Sequence, residues 1–328
     1  MKFVLSLLIG VVVTMSASQA QVPAQNLLPP LASASPRLRF NLGQVANNQP
    51  AISPILPNIP EFPASAYYIT QWQQRTYIEP NRMHVNDPAA FDVSLGIAKY
   101  AFEAIDGHSH VWVFPYNGGW AYELYESGGS VQTGGGSNLF LGTDQFVQAA
   151  LDRPISVDFD AKLSRASLLG SDQAQAGGAV LAQIFSGFGL LHTDPTGGKQ
   201  QFVFMQIPIA DSRPLSRAAS FVCSGTTISL FSPNLNNGET LLPYVADPGP
   251  MHHFHYAVNG YLSDLVGSTA CSQSWPIGAS DPKNWQLTGF YIGLETEVAD
   301  SRPSAPTNAV QGVQETALQI ANLTIVRN

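Results

Sequence analysis

Short runs of alternating apolar and polar residues are the clearest pattern along the chain. From Ile155 to Leu163 every odd position is apolar and every even position is polar or charged. A period of two is typical of a strand with one buried face. Other runs rich in β-branched and aromatic residues lie at 109–114, 120–126, 201–209, 219–231, 251–258, 287–298 and 316–326. The runs at 109–114 and 201–209 are predicted to be buried on both faces.

Glycine, asparagine and proline separate these runs, as in Asn117-Gly-Gly and Pro195-Thr-Gly-Gly. Such breaks are typical of loops. The best candidate for a helix is the short stretch Gly260–Val266. Many short strands without long amphipathic helices predict an all-β protein, an antiparallel sandwich or barrel, and exclude a parallel α/β sheet.

The first twenty residues have the pattern of a secretory signal peptide. Lys2 precedes an apolar run from Phe3 to Val13, and Ser18-Gln19-Ala20 offers small residues for cleavage after Ala20. The run is too short to span a bilayer comfortably, so we predict a secreted or periplasmic protein without membrane insertion. A membrane anchor is the alternative interpretation.

Residues 21–65 differ from the rest because they carry nine prolines and almost no charge. Proline at this density blocks helices and central strands, which predicts an extended or disordered arm. The arm could be a spacer, a propeptide or a segment lying along the domain. The predicted β-sandwich domain then covers residues 66–328.

Charge is sparse. Only 12% of the residues are charged, the formal net charge is −8, and the 15 Lys and Arg residues are scattered. A nucleic-acid-binding protein needs a basic cluster, so nucleic acid is excluded as a partner. A neutral, polar partner such as a glycan or another cell-surface ligand fits this composition better than a polyanion.

Two cysteines are present, Cys223 and Cys271. An even number in a secreted chain predicts one disulfide, which would stabilise the fold by about 4 kcal/mol. Two unpaired buried thiols are the alternative. Two cysteines are too few for a cysteine-based zinc site.

The C-terminal third shows a resemblance to a known group. Residues Trp285–Glu295, followed after a loop by Leu318–Ile325, resemble the closing strands of jelly-roll domains in concanavalin-A-like lectins and glucanases and in many carbohydrate-binding modules. The resemblance covers about forty residues. It implies a two-sheet jelly roll with one concave sheet that can hold a glycan.

Carboxylates are the first candidates for chemistry. Glu295 and Glu297 lie two apart on a predicted strand and face outward with Tyr291. The opposite, core face is predicted to hold Phe290, Ile292 and Leu294. Asp158 and Asp160 form a similar outward pair. Ordinary solvated carboxylates are the alternative interpretation.

A glycosidase needs two carboxyl groups about 5–5.5 Å apart if retaining, or about 6.5–9.5 Å apart if inverting. The spacing of these pairs permits that chemistry without specifying it. The Glu-x-Asp-x-x-Glu signature of laminarinase-like glucanases is absent, and so is a Gly-x-Ser-x-Gly elbow.

Histidines form two candidate metal-binding pairs, His108 with His110 and His253 with His255. Each pair has strand spacing for one face, so the two pairs could close on a metal ion if their strands were adjacent. The first pair is similar to the His-x-His of cupins, but no Glu follows at the cupin spacing. Hydrogen-bonded strand histidines are the alternative, and no other cofactor is predicted.

Aromatic side chains are numerous enough to build a platform on which sugar rings stack. The candidates for ligand binding are Trp120, Tyr122, Trp285 and Tyr291. Core packing is the alternative for each of them.

These observations favour a secreted, non-catalytic β-sandwich protein that binds a neutral glycan or another surface ligand through a concave sheet. One alternative is a glycan-cleaving enzyme, a glycoside hydrolase or polysaccharide lyase, that pairs Glu295 or Glu297 with Asp158 or Asp160. Another is a structural or adhesive envelope protein whose proline-rich arm packs against a neighbour. The sequence leaves the oligomeric state open.

Overall fold

Strands make up most of the chain that the computed structural model describes. The described residues are 23–27, 38–41, 67–72, 77–85, 100–117, 119–127, 136–143, 149–169, 180–198, 200–213, 216–235, 238–272, 274–298 and 312–328. Side chains are described for most, but not all, of these positions.

The strands in chain order are β1 (Gln25–Asn26), β2 (Leu38–Asn41), β3 (Tyr67–Trp72), β4 (Ile78–Val85), β5 (Tyr100–Ala104), β6 (Ser109–Tyr116), β7 (Gly119–Ser127), β8 (Gly136–Thr143) and β9 (Ala149–Ala150). They continue with β10 (Ile155–Leu169), β11 (Val180–Thr193), β12 (Gln200–Asp211), β13 (Ser220–Ser224), β14 (Thr227–Ser232), β15 (His252–Ala257), β16 (Trp285–Val298) and β17 (Gly312–Arg327). Helix α1 spans Val258–Val266, and two short 3-10 turns lie at Ala270–Ser272 and Pro282–Asn284.

The strands form two sheets. Sheet 1 has the order β15-β10-β17-β7-β6-β5-β4, with β1 paired to β17. Sheet 2 has the order β13-β14-β12-β11-β16-β8-β3-β2, with β9 paired to β16. Pairing is mostly antiparallel, and strands distant in sequence become neighbours, such as β8 and β16. The predicted all-β jelly-roll sandwich is therefore confirmed, with two parallel pairs, β2·β3 and β12·β14, that the sequence did not predict.

One hydrophobic core fills the space between the sheets, and strand alternation builds it. The odd residues from Ile155 to Leu163 are each at most 1% exposed, as the pattern predicted. Across the core, Ile292 and Leu294 are fully buried and Phe290 is 3% exposed, which confirms the predicted inner face of β16. Outward-facing side chains on both sheets follow from the same alternation.

Strand β12 departs from its prediction. Residues 201–209 were expected to be buried on both faces, and this is wrong, because Phe202 and Phe204 are 43% and 44% exposed. Only the inner side chains, such as Val203 and Met205, are buried. Aromatic content alone does not distinguish a strand covered on both faces from one that presents aromatic rings outward. The run at 109–114, in contrast, is largely covered on both faces.

A disulfide joins β13 of sheet 2 to the turn that follows a short helix. Cys223 of β13 is bonded to Cys271, which follows α1, with 5.5 Å between their Cα atoms. The predicted pairing is confirmed. Helix α1 begins two residues before the predicted Gly260 and buries Tyr261 and Leu265 against the core.

The predicted signal peptide, residues 1–20, lies outside the described residues. Most of the predicted arm at 21–65 does too, but its described parts are strands, since β1 pairs with the end of β17 and β2 pairs with β3. No helix among the described residues is long and apolar enough to cross a bilayer.

Candidate functional site

The outer face of sheet 2 carries a groove of about 750 Å³. Residues from β3, β8, β11, β12, β13, β14 and β16 line it. A smaller pocket of about 340 Å³ adjoins it and shares Gln183, Phe185 and Gln206 with its lining. The groove therefore runs across several strands, and cross-strand register decides which side chains form its floor.

Aromatic rings form the middle of the floor. Phe140, Phe185 and Tyr291 pack together, with ring centroids 5.1 Å apart for the two Phe rings and 5.5 Å apart for Phe140 and Tyr291. Glycines make room for them. A Cβ atom at Gly187 would lie 2.1 Å from Cζ of Tyr291, so the tyrosine can lie across β11 only because position 187 has no side chain.

Apolar side chains form one end of the groove. Phe202 and Phe204 project from β12 with their rings edge to face, 4.7 Å apart and at 89°. Leu230 of β14 lies opposite Phe204, and Val222 of β13 lies opposite Leu230. Val222 is 54% exposed, so this end presents accessible apolar surface.

Amide and carboxylate side chains form the other end. Asn138, Glu295, Gln183 and Asp211 lie opposite one another in a single row across β8, β16, β11 and β12. The first three line the groove, and Asp211 lines the adjoining smaller pocket. We call these four residues the polar row. Amide and carboxylate groups supply the donors and acceptors that hydroxyl-rich ligands need.

An arginine holds one member of the polar row. Nε and Nη2 of Arg213 donate to Oδ1 and Oδ2 of Asp211 at 3.0 and 2.8 Å, and Nε2 of Gln183 donates to Oδ2 at 3.1 Å. Such bidentate contacts are strong and directional. Asp211 is thus a fixed, neutralised member of the row, whereas Glu295 is half-buried in the groove wall.

The two carboxylates of the polar row are separated by β11. Two strand spacings place the backbones of Glu295 and Asp211 about 10 Å apart. Parallel side chains would place the carboxyl groups near the upper limit for an inverting glycosidase, about 6.5–9.5 Å, and a retaining one, at about 5–5.5 Å, would need the two side chains to lean toward each other.

Tyr291 keeps its proton. Burial raises the pKa of its phenol above the ordinary value, while a hydrogen bond with Gln206 lowers it to a smaller extent. The neutral hydroxyl can therefore act as donor or acceptor beside the aromatic floor.

A buried carboxylate from sheet 1 supports the polar row from behind. Oγ of Ser137 donates to Oε1 of Glu126 at 2.6 Å, and Oγ1 of Thr296 donates to Oε2 at 3.0 Å. Ser137 and Thr296 are the chain neighbours of Asn138 and Glu295. Glu126 thus fixes β8 and β16 at the point where the polar row begins. The sequence contained a signal for the burial of Glu126. It lies two residues from the core residue Leu124 on the same strand, so both side chains point to the same face.

The predicted carboxylate pairs do not meet. Asp158 and Asp160 face outward from sheet 1, where they contact Nδ1 of His255 at 2.7 Å and Nδ1 of His253 at 3.0 Å. Glu295 faces outward from sheet 2, so the whole sandwich separates it from them. Glu297 belongs to β16, but its side chain is outside the described part of the structure. The predicted pairing of Glu295 with either aspartate is therefore not formed.

The two histidine pairs do not meet either. His253 and His255 share the exposed face of β15, but strands β10, β17 and β7 separate them from His110, a distance of about 19 Å. His108 precedes β6, and its Nδ1 contacts Oγ of Ser127 at 2.8 Å. Among the residues that the structure describes, no group of three His, Cys, Asp or Glu side chains is placed to hold a metal ion.

His110 takes part in a buried network on the outer face of sheet 1. Its ring stacks between Trp112 and Tyr125, with centroids 3.9 and 4.3 Å away. Its Nε2 lies 3.2 Å from Oε1 of Glu123, and Oε2 of the same carboxylate accepts from Ser164 and Gln319. We call these contacts the Glu123 network.

The surroundings of the Glu123 network give His110 and Glu123 different charge states. Burial lowers the pKa of His110, which favours neutral imidazole. Burial alone would raise the pKa of Glu123, but the hydrogen bonds it accepts outweigh that effect and hold its pKa below the ordinary value. The network therefore consists of an ionised carboxylate and neutral donors. This is the arrangement of a structural histidine.

Of the four predicted ligand-binding aromatics, only Tyr291 is seen to line the groove. Tyr122 is 1% exposed and Trp285 is fully buried, with Nε1 of Trp285 donating to the carbonyl of Ala279 at 2.7 Å. Both lie in the core because strand parity turns them inward. Trp120 belongs to β7, but its side chain is not described. The groove phenylalanines were missed, although the even positions of 201–209 carry two of them.

The fold and this groove together define a β-sandwich protein with an open, aromatic-floored cleft on one sheet. No protein-family model and no curated protein sequence matches the chain. Its solved structural neighbours include the family 11 xylanase from Neocallimastix patriciarum, at 11% identity and a TM-score of 0.36, over 78% of this chain and all of that one.

Another neighbour is endoglucanase 3 of glycoside hydrolase family 12 from Trichoderma harzianum, at 10% identity and a TM-score of 0.30, over 80% of this chain and 97% of that one. The two-sheet architecture is consistent with the concanavalin-A-like sandwich that the sequence resemblance implies. Likenesses at these scores carry no statement about activity.

Proposed function

We propose that this chain is a secreted β-sandwich protein that binds a neutral glycan in the groove of sheet 2. The observation that carries the proposal is the polar row beside an aromatic floor. Sugars present both apolar C–H faces and hydroxyl groups, and a site for them combines aromatic rings with a few placed hydrogen-bonding groups.

The charges of the site favour a neutral ligand. Glu295 would repel an acidic sugar, and the cation beside the row, Arg213, is engaged by Asp211. The whole chain has few basic residues, with a net charge of −8. The disulfide between Cys223 and Cys271 fits export to an oxidising compartment, which supports the secreted location proposed from the signal sequence.

Glycan cleavage is the second candidate function. Its specific support is that Glu295, in the lining of the groove, and Asp211, in the lining of the adjoining pocket, belong to one row of residues across sheet 2. Against it stands the Arg213 clamp, because both oxygens of the Asp211 carboxylate already accept hydrogen bonds from the guanidinium. Binding is therefore the leading proposal.

The test is a glycan array probed with the mature chain, followed by calorimetry on each neutral glycan that is retained. We expect at least one neutral oligosaccharide to bind. The Glu295→Gln variant should bind it at least several-fold more weakly, because one acceptor of the polar row is changed. His253→Ala on the outer face of sheet 1 is the matched control and should leave the affinity unchanged.

Release of new reducing ends separates the two candidates. Hydrolysis by the wild type that disappears in both Glu295→Gln and Asp211→Asn would establish the enzyme and overturn the non-catalytic proposal. If no neutral glycan binds, or if the His253→Ala variant loses affinity while Glu295→Gln keeps it, the groove is not the glycan site.

A further inference from the structure

The two ends of the groove differ in chemistry, and the ligand must match both. The polar row offers amides and carboxylates, while Phe202, Phe204 and Val222 at the other end are each 43–54% exposed. Phe204 of β12 lies opposite Gly189 of β11. Gly189 is six residues along β11 from Gln183 of the polar row. Six residues of strand separate the backbones of the two ends by about 20 Å, and the rings of Phe204 and Tyr291, with centroids 6.3 Å apart, span part of this interval.

The volume of the groove limits the size of the ligand. A groove of about 750 Å³ is in the range of sites that hold small molecules. A folded protein segment exceeds that range. The aromatic floor around Tyr291 makes the two ends one continuous site.

The apolar end is poorly suited to a sugar ring. Its two phenylalanine rings stand at 89° to each other, so they do not form one flat surface on which a pyranose could stack. The lining around it supplies only small hydroxyl groups, those of Ser220, Ser232 and Thr288. Sugar hydroxyls placed there would lose hydration without finding partners, which costs free energy.

We infer that the ligand is amphipathic: a neutral glycan that carries an apolar alkyl or acyl group. The sugar lies at the polar row, and the apolar group lies against Phe202, Phe204, Val222 and Leu230. This inference rests on the proposed glycan-binding function and adds the chemical class of the ligand. Burial of the apolar group on exposed phenylalanine rings supplies the affinity that a single sugar at the polar row lacks.

The test uses matched glycosides in calorimetry. The probes are the methyl and n-octyl β-glycosides of glucose, xylose, mannose and galactose below their micelle-forming concentrations, with 1-octanol as the probe without sugar. For at least one sugar we expect the octyl glycoside to bind at least tenfold more tightly than both the methyl glycoside and 1-octanol.

Two substitutions test whether the apolar end of the groove causes the tighter binding of the octyl glycosides. Phe204→Ala and Phe202→Ala should each reduce the advantage of the octyl group to threefold or less, because each removes a ring from the apolar end. Ile277→Ala is the matched control, since Ile277 is 67% exposed but lies outside the groove lining. The Ile277→Ala variant should bind the octyl glycoside with the same advantage over the methyl glycoside as the wild type.

Equal affinity for methyl and octyl glycosides of all four sugars would overturn the inference, and glycan binding on the array would then still support the proposed function. An octyl advantage that survives both phenylalanine variants would also overturn it. If 1-octanol binds as tightly as the octyl glycosides and the array retains no glycan, the inference and the proposed function both fail.

Discussion

Strand alternation gives each sheet an outer face, but the outer faces of the two sheets differ in chemistry. On sheet 1 the outward groups bond to one another, as in the Glu123 network and the contacts of Asp158 and Asp160 with histidines. On sheet 2 the outward groups are rings and amides around an open groove. The inner faces of both sheets pack into one core.

This difference means that the outer face of sheet 1 contributes to stability, whereas the outer face of sheet 2 is available for binding. A buried polar group must find partners, so the Glu123 network stabilises the fold and leaves few groups for a ligand. Exposed phenylalanines contribute little to stability while they remain hydrated, and their apolar area is available for a ligand. Substitutions on sheet 1 should therefore change unfolding, and substitutions on sheet 2 should change binding.

The largest expected effect is loss of stability in Glu123→Leu. Removing the carboxylate leaves buried donors of His110, Ser164 and Gln319 without their acceptor, which should lower the free energy of unfolding by about 3–5 kcal/mol. Urea denaturation measures this. Glu315→Gln is the control, because its pair with Arg165 is solvent-accessible and should contribute at most about 1 kcal/mol. Equal effects of the two variants would contradict a structural role for the network.

The next effect concerns the floor of the groove. In Gly187→Ala the new methyl group would overlap the Tyr291 ring, so the ring must leave its position over β11. We expect a loss of about 1–3 kcal/mol in unfolding free energy and at least a tenfold loss of glycan affinity. Gly225→Ala makes no such overlap, although it carries a backbone strain at positive φ that position 187 does not, and it should keep its affinity. Unchanged binding in Gly187→Ala would show that Tyr291 is not part of the site.

A smaller effect is the pH dependence of stability. Burial lowers the pKa of His110 in the folded protein below its ordinary value of 6.5. As pH falls below that value, the unfolded chain binds a proton that the folded chain does not, so the free energy of unfolding decreases. Urea midpoints at pH 7.5 and 5.5 should show this decrease, and His110→Gln should reduce it. His192 acts in the same direction. Stability that rises on acidification would contradict a neutral, buried His110.

The sequence predicted the fold well because strand alternation is a local signal. The parity of β10 and β16 placed Phe159, Ile292 and Glu295 on the correct faces. Parity does not say which sheet a strand joins, so Glu295 and Asp158 were paired although they face opposite directions. Sheet order is set by long-range pairing that one strand's pattern does not contain.

The groove was only partly predictable for a related reason. Glu295 and Tyr291 were found because they face outward next to clear core residues. Asn138, Gln183 and Asp211 have ordinary chemistry, and only the register across four strands makes them a row. Trp285 was misplaced because large aromatics occur both in cores and in ligand sites.

The central claim is that the outer face of sheet 2 holds the glycan, and amide NMR on the labelled protein tests it most directly. Cellohexaose, xylohexaose, mannohexaose and laminarihexaose would be titrated in turn, with the array choosing further neutral probes. We predict that shift changes cluster at Asn138, Gln183 and Glu295, with none at His253 and His255. Changes confined to β15 and its neighbours, or none with any neutral glycan, would contradict the account.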